Sequence, residues 1–175
     1  MAERARTVDP QRMLDTATAF FLAGERNKLL LRSDKYDFHS LDAPTITNFG
    51  LSVEIALKLL VYLQTGELAV GHSIADLFGK VSKEARERMY ETVEFSNENT
   101  NYFVDWRYPY EKDFLIGSVD TPRRAFIECY REIRLALPNL KSVYEENWGV
   151  FEPDWVETPI SHHPRFEIIS VTDDD

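Results

Sequence analysis

The stretch of residues 47–66, TNFGLSVEIALKLLVYLQTG, has the clearest helical pattern in the chain and decides its fold class. About sixteen of these residues follow one another without a proline, a threonine stands at the expected N-cap, and Thr65-Gly66 is typical of a helix end. Apolar side chains surround almost the whole predicted helix, so most of its sides must be covered. We therefore expect either the central helix of a bundle or a helix that contributes to self-association.

Four polar residues interrupt this pattern and create one mixed face: Asn48, Ser52, Glu54 and Lys58. At about 100° per residue, these polar residues lie on either side of Leu51, Ile55 and Tyr62. Glu54 and Lys58 lie nearby at the favourable i,i+4 spacing, which also suits a solvated ion pair without a function. Because the helix is more apolar than a solvated helix needs to be, we predict that Leu51, Ile55 and Tyr62 form an interface. Glu54 and Lys58 are the predicted binding residues beside it.

Helical spacing of apolar residues predicts four further helices, each preceded by a residue suited to capping. A long amphipathic helix follows Asp9-Pro10 and extends to about residue 32. Its predicted inner face comprises Met13, Ala17, Phe20, Phe21 and Gly24. Ser73 precedes a short helix, Ser82 precedes one that covers residues 82–95, SKEARERMYETVEF, and Asp120-Thr121-Pro122 opens the last one. Residues 33–45, SDKYDFHSLDAPT, are predicted as a loop. The predicted inner face of the last helix comprises Phe126, Tyr130, Ile133 and Leu137.

The composition is that of an ordinary globular domain. The chain has 175 residues, of which 43% are apolar and 29% charged. That length fits one compact unit. We assign residues 1–147 to a helical domain and residues 148–175 to an irregular C-terminal arm. The arm sequence, WGVFEPDWVETPISHHPRFEIISVTDDD, contains three prolines and has no sustained periodicity.

Hydropathy and charge narrow the range of functions. No window contains about 18 uninterrupted apolar residues, and the N-terminal MAERARTVDP lacks the apolar region of a secretory signal. The sequence therefore predicts a cytoplasmic protein without a membrane segment. A net charge of −10 repels polyphosphate at long range. RNA binding would then need a local groove, for example one lined by Arg107, Arg123 and Arg124 in a dimer.

The residues that usually hold metals or cofactors do not form a recognisable set in the sequence. No two histidines have the helical spacing of a metal site, and the single cysteine, Cys129, has a helical setting that predicts core packing. Phosphate-binding glycine loops and the common hydrolase motifs do not occur. We therefore expect neither a metal nor a cofactor. The histidines are His39, His72, His162 and His163.

Two features leave a catalytic function open. His72 stands just before a predicted helix and could act as a general base, although packing at the helix entrance explains it as well. In NYFVDWRYPYE, residues 101–111, Arg107 lies among Trp106, Tyr108 and Tyr110. This cluster could clamp a phosphate or stack on a base. Alternatively, Arg107 pairs with a neighbouring carboxylate while the aromatic side chains close the core.

The order of these parts resembles that of the HEPN superfamily of small all-α domains. The matching segments are NFGLSVEIALKLLVYLQTG, GHSIADLFGKVS, a polar amphipathic helix, FVDWRYPYE and a last helix that begins TPRRAF. The resemblance spans roughly residues 9–137. The resemblance implies an up-and-down bundle of four to five helices that forms a homodimer. It also implies a role in a prokaryotic toxin–antitoxin, phage-defence or RNA-processing system.

Many members of this superfamily are metal-independent ribonucleases. In these, an arginine stabilises the phosphate and a histidine about four to six residues later handles the proton of the attacking 2′-hydroxyl. Arg107 resembles that arginine, but Tyr-Pro-Tyr-Glu-Lys-Asp-Phe follows it and contains no histidine. Arg32 and His39 have a similar spacing, yet they precede the helix that should come before the motif. We interpret that pair as a chance match.

Three functional hypotheses follow from this sequence. The first is a HEPN-like homodimer without the usual ribonuclease motif, which acts as a binding or regulatory component of a defence, toxin–antitoxin or stress system. The second is a divergent metal-independent ribonuclease in which His72 or His39 meets Arg107 in the fold. The third is a small-molecule or nucleotide sensor whose pocket is formed by the aromatic residues around Arg107.

Overall fold

A computed structural model describes residues 8–31, 42–90 and 119–145 of the chain. Over these ranges the protein is an all-α bundle without a strand, which confirms the predicted fold class. The helices are α1 Pro10–Leu31, α2 Asp42–Thr65, α3 Ile74–Lys80, α4 Lys83–Tyr90 and α5 Asp120–Ala136. The predicted C-terminal arm, residues 148–175, lies outside the described residues.

Helix α2 is the central element of the bundle, one of the two roles that its apolar pattern suggests. It packs against α1, α3 and α5, and α4 packs against α5. Removing apolar surface from water contributes about 25 cal/mol per Å², so the burial of this helix stabilises the whole bundle. Its buried apolar side chains are Ile46, Phe49, Val53, Ala56, Leu57, Leu59, Leu60 and Val61.

The start of α2 differs from the prediction. The helix begins at Asp42 rather than after a cap at Thr47, so the loop prediction for residues 33–45 is wrong over its last part. Pro44 lies in the first turn of the helix. Backbone N–H groups in that turn have no acceptor within the helix, so a proline there costs no hydrogen bond. Pro44 therefore marks the start of α2 instead of a break.

The end of α2 is as predicted. Gly66 follows the last helical residue with φ 76°, and its N–H donates to the carbonyl of Tyr62 at 2.8 Å. This arrangement satisfies one of the carbonyl groups that a helix end leaves without an intrahelical donor. Left-handed backbone of this kind favours glycine, because a Cβ would approach the backbone too closely.

Helix α1 has the predicted cap and comes very close to α2. Asp9 Oδ1 accepts hydrogen bonds from the N–H groups of Gln11 at 3.0 Å and Arg12 at 3.2 Å. A Cβ at Gly24 would lie only 2.6 Å from a ring carbon of Phe49, so the approach of the two helices requires a glycine there. Of the predicted inner face, Ala17, Phe21 and Gly24 are buried, and Met13 and Phe20 are half-buried.

A cluster of aromatic rings joins α1, α2 and α5. Phe21 stacks on Phe126 with ring centroids 4.5 Å apart, and it meets Phe49 at 5.6 Å in a tilted arrangement. Tyr130 continues the cluster along α5, 6.1 Å from Phe126. Aromatic pairs at these separations contribute about 0.5–1.5 kcal/mol beyond the area that they bury. Residues from three helices therefore meet at one point of the core.

The two short helices begin at the predicted serines. Ser73 Oγ accepts from the N–H of Asp76 at 3.2 Å, and Ser82 Oγ accepts from the N–H of Ala85 at 3.4 Å. Their apolar residues Ile74, Leu77, Phe78, Ala85 and Met89 are buried. Helix α4 is described as far as Tyr90, and the rest of its predicted range lies outside the described residues.

Both ends of α5 differ slightly from the prediction. Asp120 is the first helical residue rather than the cap, and its carboxylate accepts a hydrogen bond from Lys28 Nζ at 2.8 Å. Leu137 is predicted to face inward, but it ends the helix and is 39% exposed. The reason is Pro138, which disfavours helical backbone in the residue before it.

By length and composition alone, α2 is apolar enough to cross a membrane. An 18-residue window within residues 43–65 has a mean hydropathy of 1.5, although the stretch includes Glu54 and Lys58. In the folded protein 61% of this window is buried, and the core helix of a soluble protein has the same properties. We therefore attribute its apolar character to its central place in the bundle.

Candidate functional site

Glu54, Lys58 and His72, three residues predicted to bind or to catalyse, lie together beside the start of α3. Glu54 Oε1 accepts a hydrogen bond from Lys58 Nζ at 2.8 Å. The same oxygen lies 2.9 Å from His72 Nδ1. Lys58 is one turn further along α2, whereas His72 comes from the connection between α2 and α3. One carboxylate oxygen thus holds two basic side chains.

The local sequence explains why His72 reaches this carboxylate. Gly71 has φ 99°, a conformation that glycine adopts readily and that lets the chain turn sharply before His72. Ser73 follows as the N-cap of α3 with extended backbone. His72 is therefore held between a turn and a helix start, and its ring is directed toward α2.

The three side chains differ strongly in exposure. Glu54 is 6% exposed, Lys58 is 17% exposed and His72 is 67% exposed. Water screens charges less at a buried carboxylate than at the surface, so the contacts of Glu54 are stronger than those of an exposed pair. The site therefore consists of a buried acid, a mostly buried base and an accessible imidazole.

This geometry suits a histidine that takes up a proton. A carboxylate accepts hydrogen bonds only, so Nδ1 of His72 is the donor in this contact. In a neutral ring, Nε2 is then left to accept a proton from a ligand or from water. Glu54 holds the imidazole in this orientation, which is the role of the carboxylate in acid–base catalytic sites. The site can equally bind an acidic group through His72.

The predicted interface residues lie on α2. Leu51, Ile55 and Tyr62 are half-buried, and Leu51 and Ile55 also pack against the hydrophobic core. Leu51 and Ile55 therefore combine a contact inside the bundle with an accessible part, and Tyr62 is accessible in part. Their role in self-association stays a prediction.

The aromatic stretch predicted as a binding site lies outside the described residues. This applies to Arg107 and to its neighbours Trp106, Tyr108 and Tyr110, whose roles stay predictions. The same is true of His39, so the proposed meeting of Arg107 with His72 or with His39 stays a prediction.

Two ion pairs connect α1 with α5, and the sequence interpretation missed both. Arg123 Nε donates to Glu25 Oε1 at 2.6 Å, with side-chain exposures of 10% and 7%. Lys28 donates to Asp120 at the edge of the same contact. The prediction of Arg123 in an open, positively charged groove is therefore wrong, because its guanidinium is buried against a carboxylate. The available signal was Glu25 itself, one turn after Phe21 on the apolar side of α1.

The charges around Asp120 influence its ionisation. Burial alone would raise the pKa of this carboxyl group. The hydrogen bond from Lys28 and the positive charges of Lys28, Arg123 and Arg124 outweigh burial, so its pKa lies below the ordinary value. Asp120 is therefore ionised at neutral pH and neutralises part of the positive charge between the two helices.

Cys129 packs in the core, as predicted. It is fully buried, and burial together with the nearby carboxylates of Glu128 and Glu132 raises the pKa of its thiol. A thiol in this environment stays protonated and is a poor nucleophile. Among the described residues, no group of three His, Cys, Asp or Glu side chains could hold a metal ion.

Comparison with known proteins adds no relative. No family model, no curated protein and no solved structure matches the chain. The resemblance to the HEPN superfamily consequently depends on the segments of the sequence itself, and function must be argued from the residues that the fold brings together.

Proposed function

We propose that the chain is a HEPN-like helical module that forms a homodimer and acts as a binding or regulatory component of a prokaryotic defence, toxin–antitoxin or stress system. We place it in the cytoplasm. The all-α bundle around a central apolar helix supports this proposal. The main observation behind it is that several arginines of the bundle form ion pairs with glutamates.

Four arginines in the described part of the bundle are paired with glutamates. An arginine that recognises phosphate needs an open guanidinium group to form two parallel hydrogen bonds. In this bundle several guanidinium groups already donate to carboxylates at 2.6–2.8 Å, and the net charge of the chain is −10. Both properties favour a protein partner over RNA. The pairs are Arg88–Glu132, Arg123–Glu25, Arg131–Glu128 and Arg134–Glu145.

The proposed dimer contact is the mixed face of α2 with Leu51, Ile55 and Tyr62. These residues recur at helical spacing and are accessible in part, so a second copy can cover them without unfolding the bundle. Glu54 and Lys58 lie beside this face; Lys58 is accessible in part and would supply a polar contact at its edge, and the buried Glu54 holds Lys58 in place. A central apolar contact with a polar rim is the usual arrangement of protein interfaces.

The double variant Leu51→Glu/Tyr62→Glu is expected to change a dimer into a monomer. Two like charges on each copy would meet across a symmetric contact, and burying them without partners is unfavourable. Sedimentation velocity at micromolar concentration measures the change. We expect an apparent mass about half that of the unchanged protein.

Leu135→Glu is the matched control, because Leu135 is a leucine on α5 that is 65% exposed. It should leave the sedimentation coefficient unchanged. Far-UV circular dichroism and the single variant Tyr62→Glu identify any unfolding caused by the loss of the Leu51 core contacts. A folded double variant that sediments like the unchanged protein would show that this face is not the interface.

The contact of His72 with Glu54 supports a second candidate, a divergent metal-independent ribonuclease. In such an enzyme Nε2 of His72 would remove the proton of a 2′-hydroxyl, and the resulting oxyanion would attack the adjacent phosphorus. The bond to the 5′-oxygen would then break, and that oxygen would receive a proton. Arg107 would stabilise the charge of the phosphate in the transition state.

Cleavage of total RNA in the presence of EDTA separates the two candidates. For a binding module we expect no cleavage by the unchanged protein. For the enzyme, His72→Ala and Arg107→Ala should each lower cleavage by about 10²-fold or more, and Glu54→Gln should lower it less. Lys83→Ala, at an exposed residue of α4, is the control. Cleavage that survives His72→Ala would come from a contaminant or from another site.

A further inference from the structure

A groove runs along the outer side of α1 and has no role in the site described above. Its volume is about 710 Å³, and it extends along successive turns of α1 toward Asn48 of α2. Ala19 and Ala23 are among its lining residues, and their small side chains leave space for another segment beside the helix. The lining residues used below are Arg12, Thr16, Ala19, Phe20, Ala23 and Tyr144.

The chain leaves the bundle at one end of this groove. Gln11 Nε2 donates to the carbonyl of Lys141 at 2.7 Å, and the N–H of Val143 donates to Asp15 Oδ1 at 2.9 Å. These bonds attach residues 141–143 to the first half of α1. Tyr144 follows them and lines the groove. Whatever follows residue 145 therefore starts beside the groove.

The next residues of the sequence have the composition of a segment that binds an apolar groove. Residues 146–157 read ENWGVFEPDWVE and contain Trp148, Phe151 and Trp155 within eight positions. Aromatic anchors of this kind dominate binding at protein contacts. Glu152 lies next to Phe151, and Arg12, which lines the groove together with Asp9 and Asp15, offers a guanidinium group to such an acid.

We propose that residues 148–155 bind in the α1 groove of their own chain. The length of this segment is compatible with the length of the groove. Along α1, Arg12 and Ala23 are about 16 Å apart, and residues 148–155 cover about 10 Å as a helix or about 23 Å when extended. Only residues 146 and 147 need to connect them to Glu145. A segment attached so closely has a high effective concentration at the groove, so modest contacts are sufficient to hold it.

A photo-cross-linking experiment on the full chain tests this proposal. Ala19 is exposed in the groove and is replaced by p-benzoylphenylalanine, and Ala136, exposed at the end of α5, is replaced in the control. We use an equal mixture of ¹⁵N-labelled and unlabelled protein, and mass spectrometry locates the cross-links. Cross-links from position 19 should fall in residues 148–155, within one chain, and position 136 should not produce them.

Proteolysis of the full chain provides a second measurement. Chymotrypsin cleaves after Trp148, Phe151 and Trp155 only when that segment leaves the groove. Ala19→Arg blocks the groove and should speed this cleavage by about tenfold, whereas Ala136→Arg should not change it. Cross-links that fall elsewhere or join two chains, or equal cleavage of both variants, would overturn the proposal.

Discussion

Glu25→Ala is expected to lower the free energy of unfolding by about 3–5 kcal/mol, because it removes one partner of a buried ion pair. Glu25 and Arg123 are almost completely buried, and the Nε–Oε1 distance is 2.6 Å. Without Glu25, a charged guanidinium group stays inside the contact between α1 and α5 and has lost this carboxylate. Urea denaturation followed by circular dichroism measures the change at neutral pH.

Two controls distinguish this effect from a general loss of charge. Lys83 and Glu87 form an exposed pair at 3.7 Å, and Glu87→Ala should change the stability little, since solvent screens that pair. The double variant Glu25→Leu/Arg123→Met should recover most of the stability that Glu25→Ala loses, because apolar side chains of similar volume replace both charges. A double variant as unstable as Glu25→Ala would contradict this explanation.

Phe49→Ala is expected to destabilise the protein by a similar amount, about 3–5 kcal/mol. The ring of Phe49 is fully buried and meets Phe21 and Gly24 where α1 crosses α2. Truncation removes its apolar contacts and leaves a cavity that the surrounding helices fill only in part. The midpoint and slope of urea unfolding give the magnitude, and an unchanged slope would show that the denatured state is unaffected.

Gly24→Ala examines the same contact from the other helix. In the unchanged protein the new methyl group would lie 2.6 Å from the Phe49 ring, and we expect a loss of about 1–3 kcal/mol from overpacking. In the Phe49→Ala background the methyl group has space, and alanine favours a helix over glycine by about 1 kcal/mol. The two substitutions should therefore partly compensate. Strict additivity would mean that the ring moves aside at little cost.

Much of the fold could be predicted because local signals and the final structure agree. The caps at Asp9, Ser73 and Ser82 and the end of α2 at Gly66 depend only on neighbouring residues, and all four were found. The error at the start of α2 comes from the interpretation of Pro44 as a helix breaker. A proline in the first turn of a helix costs no hydrogen bond, whereas a proline within a helix removes one.

The sequence identified the three residues of the candidate site, but it did not predict that His72 contacts Glu54. Glu54 and Lys58 are neighbours on one helix, so their pairing follows from the i,i+4 spacing. His72 reaches the same carboxylate only because Gly71 turns the chain, and that geometry depends on tertiary structure. The pairing of Glu25 with Arg123 was missed for the same reason. A charge on an apolar helix face indicates a buried partner without identifying it.

The position of α5 in the bundle has a consequence for protein synthesis. Glu25 and Arg123 are separated by 98 positions in the sequence. At a translation rate of about 5–20 residues per second, the ribosome needs about 5–20 s to add the residues between them. Helices α1 and α2 are complete by residue 65, well before the helix that covers their aromatic residues is made. The nascent chain therefore exposes Phe21 and Phe49 to chaperones, and its folding ends only after α5 has left the ribosome.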